Sequence, residues 1–368
     1  MQVFIVFVVL VGSVVARPSI IEGQDGKRLI KMSVSDEGSW LGEDEIFGLI
    51  KNNVNFVDVT SSKFPNGVNR SIVSEAVIPG NLRFVDVVLN AIKNVNIDRM
   101  VTFVDRFDNF PNRYFNSQNG VDAADWLEMI VKVAATDKEY GGRITVTKFS
   151  HSWPQNSIIA RIEGSDPLLK EEVVIFGAHF DSINRDDPTE GIAPGSDDNG
   201  SGSVTLFESL RVLIESKIVP KRSIEFQWYA AEEVGLRGSG DIAEAYYTQG
   251  VKIVAMVNYD VVGYRAGATQ IGLLTDNTSP ALTGLLRLVI EKYCAIPWIN
   301  HQCGYDCSDH ASFTRHGFPA ASPSEYPIHP SMHTIEDTSD KVSFEQIAEF
   351  VKLTVGVAIE VGEVTGGI

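Results

Sequence analysis

The stretch EEVVIFGAHF, residues 171–180, decides the fold of this 368-residue chain. Its continuous apolar run is typical of a strand that is buried on both faces within a parallel sheet. Two further segments have the same character, SIEFQWYAAEE at 223–233 and VKIVAMVNYD at 251–260. We therefore predict that all three are strands of one buried sheet.

Helical patterns alternate with these strands along the chain. Apolar residues spaced by three and four predict helices, and shorter alternating segments predict additional strands. The predicted helices cover 81–95, 124–135, 200–216 and 280–293, and the additional strands cover 144–151 and 157–164. This alternation indicates an α/β fold, a three-layer sandwich in which a central, mostly parallel (mixed) sheet is flanked by helices.

The N-terminal part of the chain has a different composition. Residues 1–16 are apolar, too short to cross a bilayer and end in small residues, which predicts a signal peptide and secretion. No Lys or Arg precedes the apolar run, so an N-terminal anchor or a buried strand remains an alternative. Residues 17–79 are polar and acidic and are predicted to be a pro-segment, which leaves 80–368 as the main domain.

The overall composition excludes several classes of protein. With 44% hydrophobic and 21% charged residues, the chain is that of a globular protein with a sizeable core. A net charge of -17 without any basic run argues against a nucleic-acid partner, because such partners require a basic face. After the N-terminal stretch no segment is apolar and long enough to span a membrane, so no membrane partner is expected.

The cysteines and sequons suggest covalent modifications. Cys303 and Cys307 are four residues apart, a spacing that permits a local disulfide, a metal pair or two free thiols. A disulfide is favoured in a secreted chain, leaving Cys294 unpaired. Among the sequons, Asn69 and Asn277 are the predicted glycosylation sites.

Acidic residues and histidines follow the predicted strands where each strand ends. His179, Glu233 and Asp260 come after the three buried strands, and Asp198 opens a helix in a glycine-rich turn. In parallel sheets ligands bind at the carboxyl ends of the strands. Each residue alone has an ordinary structural reading, such as a packed histidine or a solvated acidic pair. Buried carboxylates that lack a partner cost several kcal/mol, however, so the acidic pair after an apolar strand favours a cation site.

Together with His333 these residues supply two imidazoles and three carboxylates, which are ligands that zinc accepts. The set is large enough for two metals only if one carboxylate is shared. Asp198 is the natural bridge because it lies between the strand ends. A bridged pair of ions would be roughly 3.5–4 Å apart, the separation of co-catalytic metals.

Six motifs in this order and spacing closely resemble the secreted bacterial and fungal leucine aminopeptidases of the di-zinc family. The resemblance begins at Phe110 and extends to the C-terminal helix. The motifs are AHFDS, APGSDDNGSG, YAAEEVGLRGS, VNYDVVGY, CGYDCSDHASF and MHTIEDT. The resemblance implies an extracellular metallo-exopeptidase with two Zn²⁺ per chain in its catalytic domain, residues 80–368, which hydrolyses peptides that have a free N-terminus.

The resemblance also assigns roles to individual residues. One zinc would be bound by His179 and Asp260, the other by Glu233 and His333, with Asp198 bridging them.

Three more residues receive catalytic or supporting roles from the resemblance. Glu232 would be the general base, Tyr305 a donor to the developing oxyanion, and Asp181 a partner that fixes the ring tautomer of His179. A monomer is expected, with the pro-segment assisting folding or blocking the cleft before its removal.

The segment before His333 is shorter than in the family and carries Tyr326 and Ile328, so a preference for leucine is left open.

Three other functions are alternatives to the aminopeptidase. The first is a related di-zinc carboxypeptidase or dipeptidase, which would need a basic residue such as Arg237 or Arg265 near the pocket. The others are a single-zinc glutaminyl cyclase of similar fold and a catalytically dead binding ectodomain.

Overall fold

The structure is a computed structural model that describes residues 26–33, 35–68, 78–137, 140, 142–265, 267 and 269–364. The predicted signal peptide, residues 1–16, and the predicted glycosylation site Asn69 lie outside the described residues. Both remain predictions.

The described residues form strands and α-helices that alternate through most of the chain. The strands are β1 (Arg28–Lys31), β2 (Ser39–Leu41), β3 (Val57–Asp58), β4 (Ile144–Phe149), β5 (Ser157–Ile162), β6 (Glu172–His179), β7 (Ser223–Tyr229), β8 (Lys252–Asn258), β9 (Ile271–Leu274), β10 (Trp298–His301), β11 (Ala320–Ala321) and β12 (Pro323–Glu325). The α-helices are α1 (Glu43–Lys51), α2 (Val85–Ala91), α3 (Ile97–Phe107), α4 (Gln118–Ala134), α5 (Gly200–Glu215), α6 (Arg237–Gln249), α7 (Pro280–Tyr293), α8 (His310–Arg315) and α9 (Phe344–Gly362).

The central sheet has six strands in the order β11-β8-β6-β7-β5-β4. Strands β11, β8, β6 and β7 run parallel to one another, whereas β5 runs antiparallel to both β7 and β4. The three strands predicted from continuous apolar runs, β6, β7 and β8, therefore lie side by side at its centre. The prediction of a mostly parallel, mixed sheet is confirmed.

Helices cover both faces of this sheet because alternate residues of each strand point in opposite directions. In β6, Val174 and Phe176 pack into the larger core, with side chains of α5 and α9. Val173 and Ile175 pack into a second core with Ile242 of α6 and with the α8 region. The molecule is therefore the predicted three-layer α/β sandwich.

The N-terminal residues 26–33 and 35–68 are folded, which the sequence did not predict. Strands β1, β2 and β3 form a small antiparallel sheet, and α1 packs beside it. Ile30 and Ile46 from this N-terminal segment share an apolar cluster with Phe115, Ala231 and Val234 of the main domain. The segment is thus docked on the loop that follows β7.

None of the helices in the described part of the chain combines the length and apolarity needed to cross a bilayer.

Candidate metal centre

The site is assembled at the carboxyl ends of the three central strands. His179 is the last residue of β6, Glu232 and Glu233 follow the end of β7, and Asp260 lies two residues beyond β8. Because these strands are adjacent and parallel, their ends meet at one edge of the sheet. Asp198 directly precedes the N-cap of α5 and reaches the same edge.

The five predicted ligands converge. His179 Nε2 lies 3.1 Å from Asp198 Oδ1 and 3.2 Å from Asp260 Oδ1. His333 Nε2 lies 3.0 Å from Asp198 Oδ2 and 2.8 Å from Glu233 Oε2. In each of the two groups the donor atoms lie within 4.8 Å of one another, and Asp198 belongs to both groups. The shared carboxylate is the one expected from the sequence.

The donor set suits a pair of divalent cations. Zinc–ligand bonds of roughly 2.0–2.2 Å place neighbouring donors about 3 Å apart, as they are here. The Glu233 side chain is 5% exposed, and its buried Oε1 has no hydrogen-bond partner among the described residues. A cation held by this set would satisfy that oxygen and offset the charge of three carboxylates, which otherwise face only two imidazoles.

The pKa shifts within the cluster also favour a bound cation. Burial raises the pKa of Glu233 to about 7, although the nearby His333 opposes the rise. Burial lowers the pKa of His179, but the negative charges of Asp260 and Glu232 outweigh this and raise it well above its ordinary value. Without a cation the cluster therefore retains protons near neutral pH. A bound cation would take their place.

Glu232 lies beside the ligands without belonging to either group. Burial and the nearby negative charge of Asp260 raise its pKa well above the ordinary value, although His179 opposes this. No described residue donates a hydrogen bond to its carboxylate, whereas its backbone is fixed by bonds from Gly235 and Leu236. The carboxylate is thus anchored by its main chain and free to exchange a proton.

Tyr305 is held in a loop closed by the Cys303–Cys307 disulfide, whose Cα atoms are 6.3 Å apart. The predicted disulfide is therefore present. Burial raises the pKa of the Tyr305 hydroxyl, and the charges of Glu232 and Asp260 raise it further, so the group stays a hydrogen-bond donor at neutral pH.

Asn277, the second predicted glycosylation site, lies behind the Tyr305 loop. Its side-chain nitrogen donates to Tyr305 O at 3.2 Å and to Asp306 Oδ1 at 2.8 Å. A glycan on that nitrogen would disturb these bonds. Glycosylation of Asn277 stays a prediction.

Asp181 has a broader role than the one expected. His179 Nδ1 lies 3.2 Å from the main-chain oxygen of Asp181 and 3.5 Å from its carboxylate. Since a carbonyl oxygen only accepts, Nδ1 carries a proton, and Nε2 is the ring nitrogen that would bind a metal once the metal displaces its proton. The Asp181 carboxylate itself accepts hydrogen bonds from Glu232 N at 3.0 Å and Glu233 N at 3.2 Å. It therefore also positions the acidic pair.

Arg113 is a residue that the sequence reasoning missed. It is fully buried, and its guanidinium donates to Phe180 O at 2.7 Å, to Gly195 O at 2.9 Å and to Pro194 O. Phe180 follows one ligand, and Gly195 lies three residues before Asp198, so Arg113 joins the two loops and places a positive charge beneath the site. The one feature of the sequence that could have drawn attention to Arg113 is its position in FPNRYFNSQNG, the segment with which the resemblance to the family begins.

Three histidines outside the ligand set, His151, His301 and His316, have hydrogen-bond partners of their own. His151 lies between Asp241 at 2.9 Å and Ser157 at 2.7 Å, an arrangement of the Ser-His-Asp type. Ser157 has no exposed surface and its hydroxyl accepts from Ala230 N, so no substrate can reach it. His316 lies 2.8 Å from the main-chain oxygen of Ser312.

Comparison with known proteins agrees with this geometry. Residues 157–358 match peptidase family M28. The probable leucine aminopeptidase 1 of Trichophyton verrucosum is 38% identical over 89% of this chain and 90% of its own length. The leucine aminopeptidase 1 of Emericella nidulans is 39% identical over 92% of this chain and 89% of its own length. The crystal structure of the Legionella pneumophila LapA aminopeptidase superposes with a TM-score of 0.80 at 27% identity, covering 92% of this chain and 99% of that one. The chain therefore belongs to peptidase family M28 and is a metallo-aminopeptidase.

Proposed function

We propose that the protein is an extracellular enzyme that binds two zinc ions and removes the N-terminal residue from peptides, with a preference for apolar residues such as leucine. The observation that carries the proposal is the sharing of Asp198 between two ligand groups, with the carboxylate of Glu232, which accepts no hydrogen bond from any described residue, beside them. The relatives named leucine aminopeptidase support the substrate class.

The reaction is hydrolysis of the first peptide bond. Zinc held by the five ligands would lower the pKa of a bound water from about 15.7 toward 7 and so make hydroxide available at neutral pH. Glu232 accepts the proton of the attacking water and passes it to the nitrogen of the leaving peptide as the C–N bond breaks. The Tyr305 hydroxyl donates to the oxyanion that develops on the carbonyl oxygen. The products are a free amino acid and a shortened peptide.

The charge balance of the site suits a substrate with a free amine. The carboxylates of Asp198, Glu233, Asp260 and Glu232 would balance the charge of two bound zinc ions, so a neutral free amine could approach as a further zinc ligand. Exposed apolar side chains lie on the loops around the ligands, including Ile335 two residues after His333. These features support an exopeptidase with an apolar preference.

A carboxypeptidase would need a free cation for the substrate carboxylate. Arg237 does not provide one, because its Nε pairs with Asp58 at 3.3 Å and its guanidinium stacks on Trp153 at 4.3 Å. Arg265 bonds the main-chain oxygen of Gly267 at 3.4 Å. In the unprocessed chain Arg237 is thus engaged, and its stacking on Trp153, which lies outside the N-terminal segment, would remain after processing. This favours the aminopeptidase.

The decisive experiment compares leucine anilide with an N-acetylated leucine peptide, together with metal analysis of the same preparation. We expect about two zinc ions per chain, cleavage of the anilide and no cleavage of the blocked peptide. Cleavage of the blocked peptide would refute the aminopeptidase mechanism. One zinc per chain would favour the cyclase alternative.

We further propose that the N-terminal segment, residues 26–68, acts as a pro-segment on this site. Asp58 N donates to Gly235 O at 3.0 Å, and the Asp58 carboxylate pairs with Arg28 and Arg237. The segment also lines a cavity of about 130 Å³ together with Tyr305. It therefore contacts the loop of Glu232 and Glu233 and shares a cavity with the loop of Tyr305.

Asp58→Asn is expected to loosen this contact, since two arginines then share no carboxylate. The unprocessed variant should show a higher rate with leucine anilide than the unprocessed parent, and residues 26–68 should be removed faster by a protease. Glu37→Gln, at an exposed acidic residue of the same segment, is the control. Full activity of the unprocessed parent chain would contradict a blocking role.

A further inference from the structure

Asp337 binds the loop that carries Asp198 through three consecutive amides. Its Oδ1 accepts from Asp197 N at 3.0 Å and its Oδ2 from Asp198 N at 2.9 Å. Its main-chain oxygen accepts from Ser196 N at 3.2 Å. Asp337 is 1% exposed, so water cannot replace these bonds.

The same residue belongs to the loop of a second ligand. Asp337 lies four residues after His333, and its amide donates to Thr334 O at 3.3 Å, which folds the loop on itself. His333 O accepts from Arg185 N at 2.9 Å and is fixed from the other side. Asp337 therefore joins the His333 loop to the Asp198 loop, whose side chains meet at 3.0 Å.

The ionised carboxylate is well suited to this contact. Two N–H donors point at its two oxygens, and hydrogen bonds to a charged acceptor are about twice as strong as neutral ones. An asparagine of the same size would place an NH₂ group against one of the two amides. One acceptor would be lost and one buried N–H would be left unpaired, which destabilises the contact between the two loops.

We propose that Asp337 is the residue that positions the shared carboxylate: by holding the backbone of Asp198 it aims the two oxygens of Asp198 at the two histidines, and it thereby sets the affinity of the site for its metal pair. The inference rests on the proposed function, because it takes the ligand set to hold zinc.

The chain contains a matched comparison for this arrangement. Glu360 of α9 is also buried, and its carboxylate accepts from the consecutive amides Arg83 N at 2.6 Å and Phe84 N at 3.1 Å. Its other partner is the hydroxyl of Tyr293. None of these residues carries or adjoins a predicted ligand. Glu360 thus represents a carboxylate that binds two amides for structural reasons alone.

The experiment compares Asp337→Asn with Glu360→Gln. Each purified full-chain protein is stripped of metal and titrated with zinc against a chromophoric chelator, and its stability without metal is measured by urea unfolding. Both variants should lose stability. We expect the zinc affinity of Asp337→Asn to fall about 10- to 100-fold, the range seen for groups that orient metal ligands, while Glu360→Gln keeps the affinity of the parent. Equal zinc affinities in the two variants would overturn the proposal.

A second variant covers the case in which Asp337→Asn does not fold. Asp337→Glu keeps both acceptors but moves them by one methylene, so we expect it to fold and to show an altered d–d absorption spectrum with Co²⁺ in place of zinc. A Co²⁺ spectrum identical to that of the parent would also overturn the proposal. If the parent and Glu360→Gln themselves fail to bind two metals, the proposed function fails, which is a distinguishable result.

Discussion

The two halves of the candidate metal centre are built in different ways. In one half, His179 is the last residue of β6 and Asp260 follows the adjacent strand β8. In the other half, Glu233 and His333 lie on turns, and His333 has a left-handed backbone with φ of 59°. The side chain of His179 is 1% exposed, whereas that of His333 is 28% exposed.

The strand half is placed by the register of the sheet itself. The turn half has no such scaffold, so side chains supply it: Asp181 binds the amides of Glu232 and Glu233, and Asp337 binds the amide of Asp198. Buried carboxylates that accept hydrogen bonds from backbone amides hold the ligand backbone in place here, as the hydrogen bonds between strands do for His179. Function at the turn half thus depends on residues that never touch the metal.

The largest effect is expected where neither half is altered. Glu232→Gln keeps the size of the side chain and all five ligands but removes the base, so kcat for leucine anilide should fall about 10²- to 10⁴-fold. Zinc content should remain at two per chain. Glu171→Gln, on an exposed side chain, is the control. Near-parental activity of Glu232→Gln would exclude this residue as the base.

The next test separates the two halves through the stability of the metal-free protein. His179→Ala removes a buried ring whose Nδ1 donates to a main-chain oxygen, which should cost about 1–3 kcal/mol in the free energy of unfolding. His333→Ala removes a partly exposed ring on a turn and should cost less. Both should bind zinc more weakly.

Urea unfolding with a chelator present measures this difference. Equal losses of stability in the two variants would show that both halves depend equally on their histidines. The distinction between a strand half and a turn half would then be wrong.

The same difference explains what the sequence could predict. The strand half was accessible because continuous apolar runs predict buried strands, and the polar residue after each run marks its end. Helix α7, Pro280–Tyr293, has the bounds predicted from its apolar spacing and its N-terminal proline. The five ligands came from these strand ends and from motifs that resemble a known family.

The supporting residues could not be predicted in this way. Arg113 bonds a carbonyl 82 positions away, and Asp337 bonds an amide 139 positions away. A bond from a side chain to a distant backbone leaves no periodic pattern in either segment. The fold of residues 26–68 was missed for a related reason, since β3 spans only Val57–Asp58 and its cluster is completed by residues of the main domain.

Arg113→Lys tests the link between the halves. A lysine retains the charge but cannot donate in a planar fork to Phe180 O and Gly195 O at once, nor stack on Phe107 as the guanidinium does at 4.1 Å. The loops of His179 and Asp198 should then shift relative to each other, and zinc affinity should fall about 10-fold. Arg143→Lys, whose side chain is 74% exposed, should change nothing. An unchanged zinc affinity in Arg113→Lys would mean that only its charge matters.

The smallest effect is expected from the Tyr305 loop, which belongs to neither half. The double variant Cys303→Ser, Cys307→Ser opens a ring of few residues, for which loop entropy predicts at most about 2 kcal/mol of lost stability. The loop keeps other anchors, because Asp276 accepts from Cys303 N at 3.3 Å and from Gly304 N at 2.6 Å. Tyr305 should therefore be loosened rather than displaced.

We expect kcat to fall a few-fold, by less than in Tyr305→Phe, with zinc content and affinity unchanged. Steady-state kinetics and the chelator titration on both variants measure this. A loss of zinc from the double serine variant would show that the disulfide supports the ligands themselves. The Tyr305 loop would then be part of the support of the turn half, because the ligands of that half have no strand to hold them and would be displaced most easily.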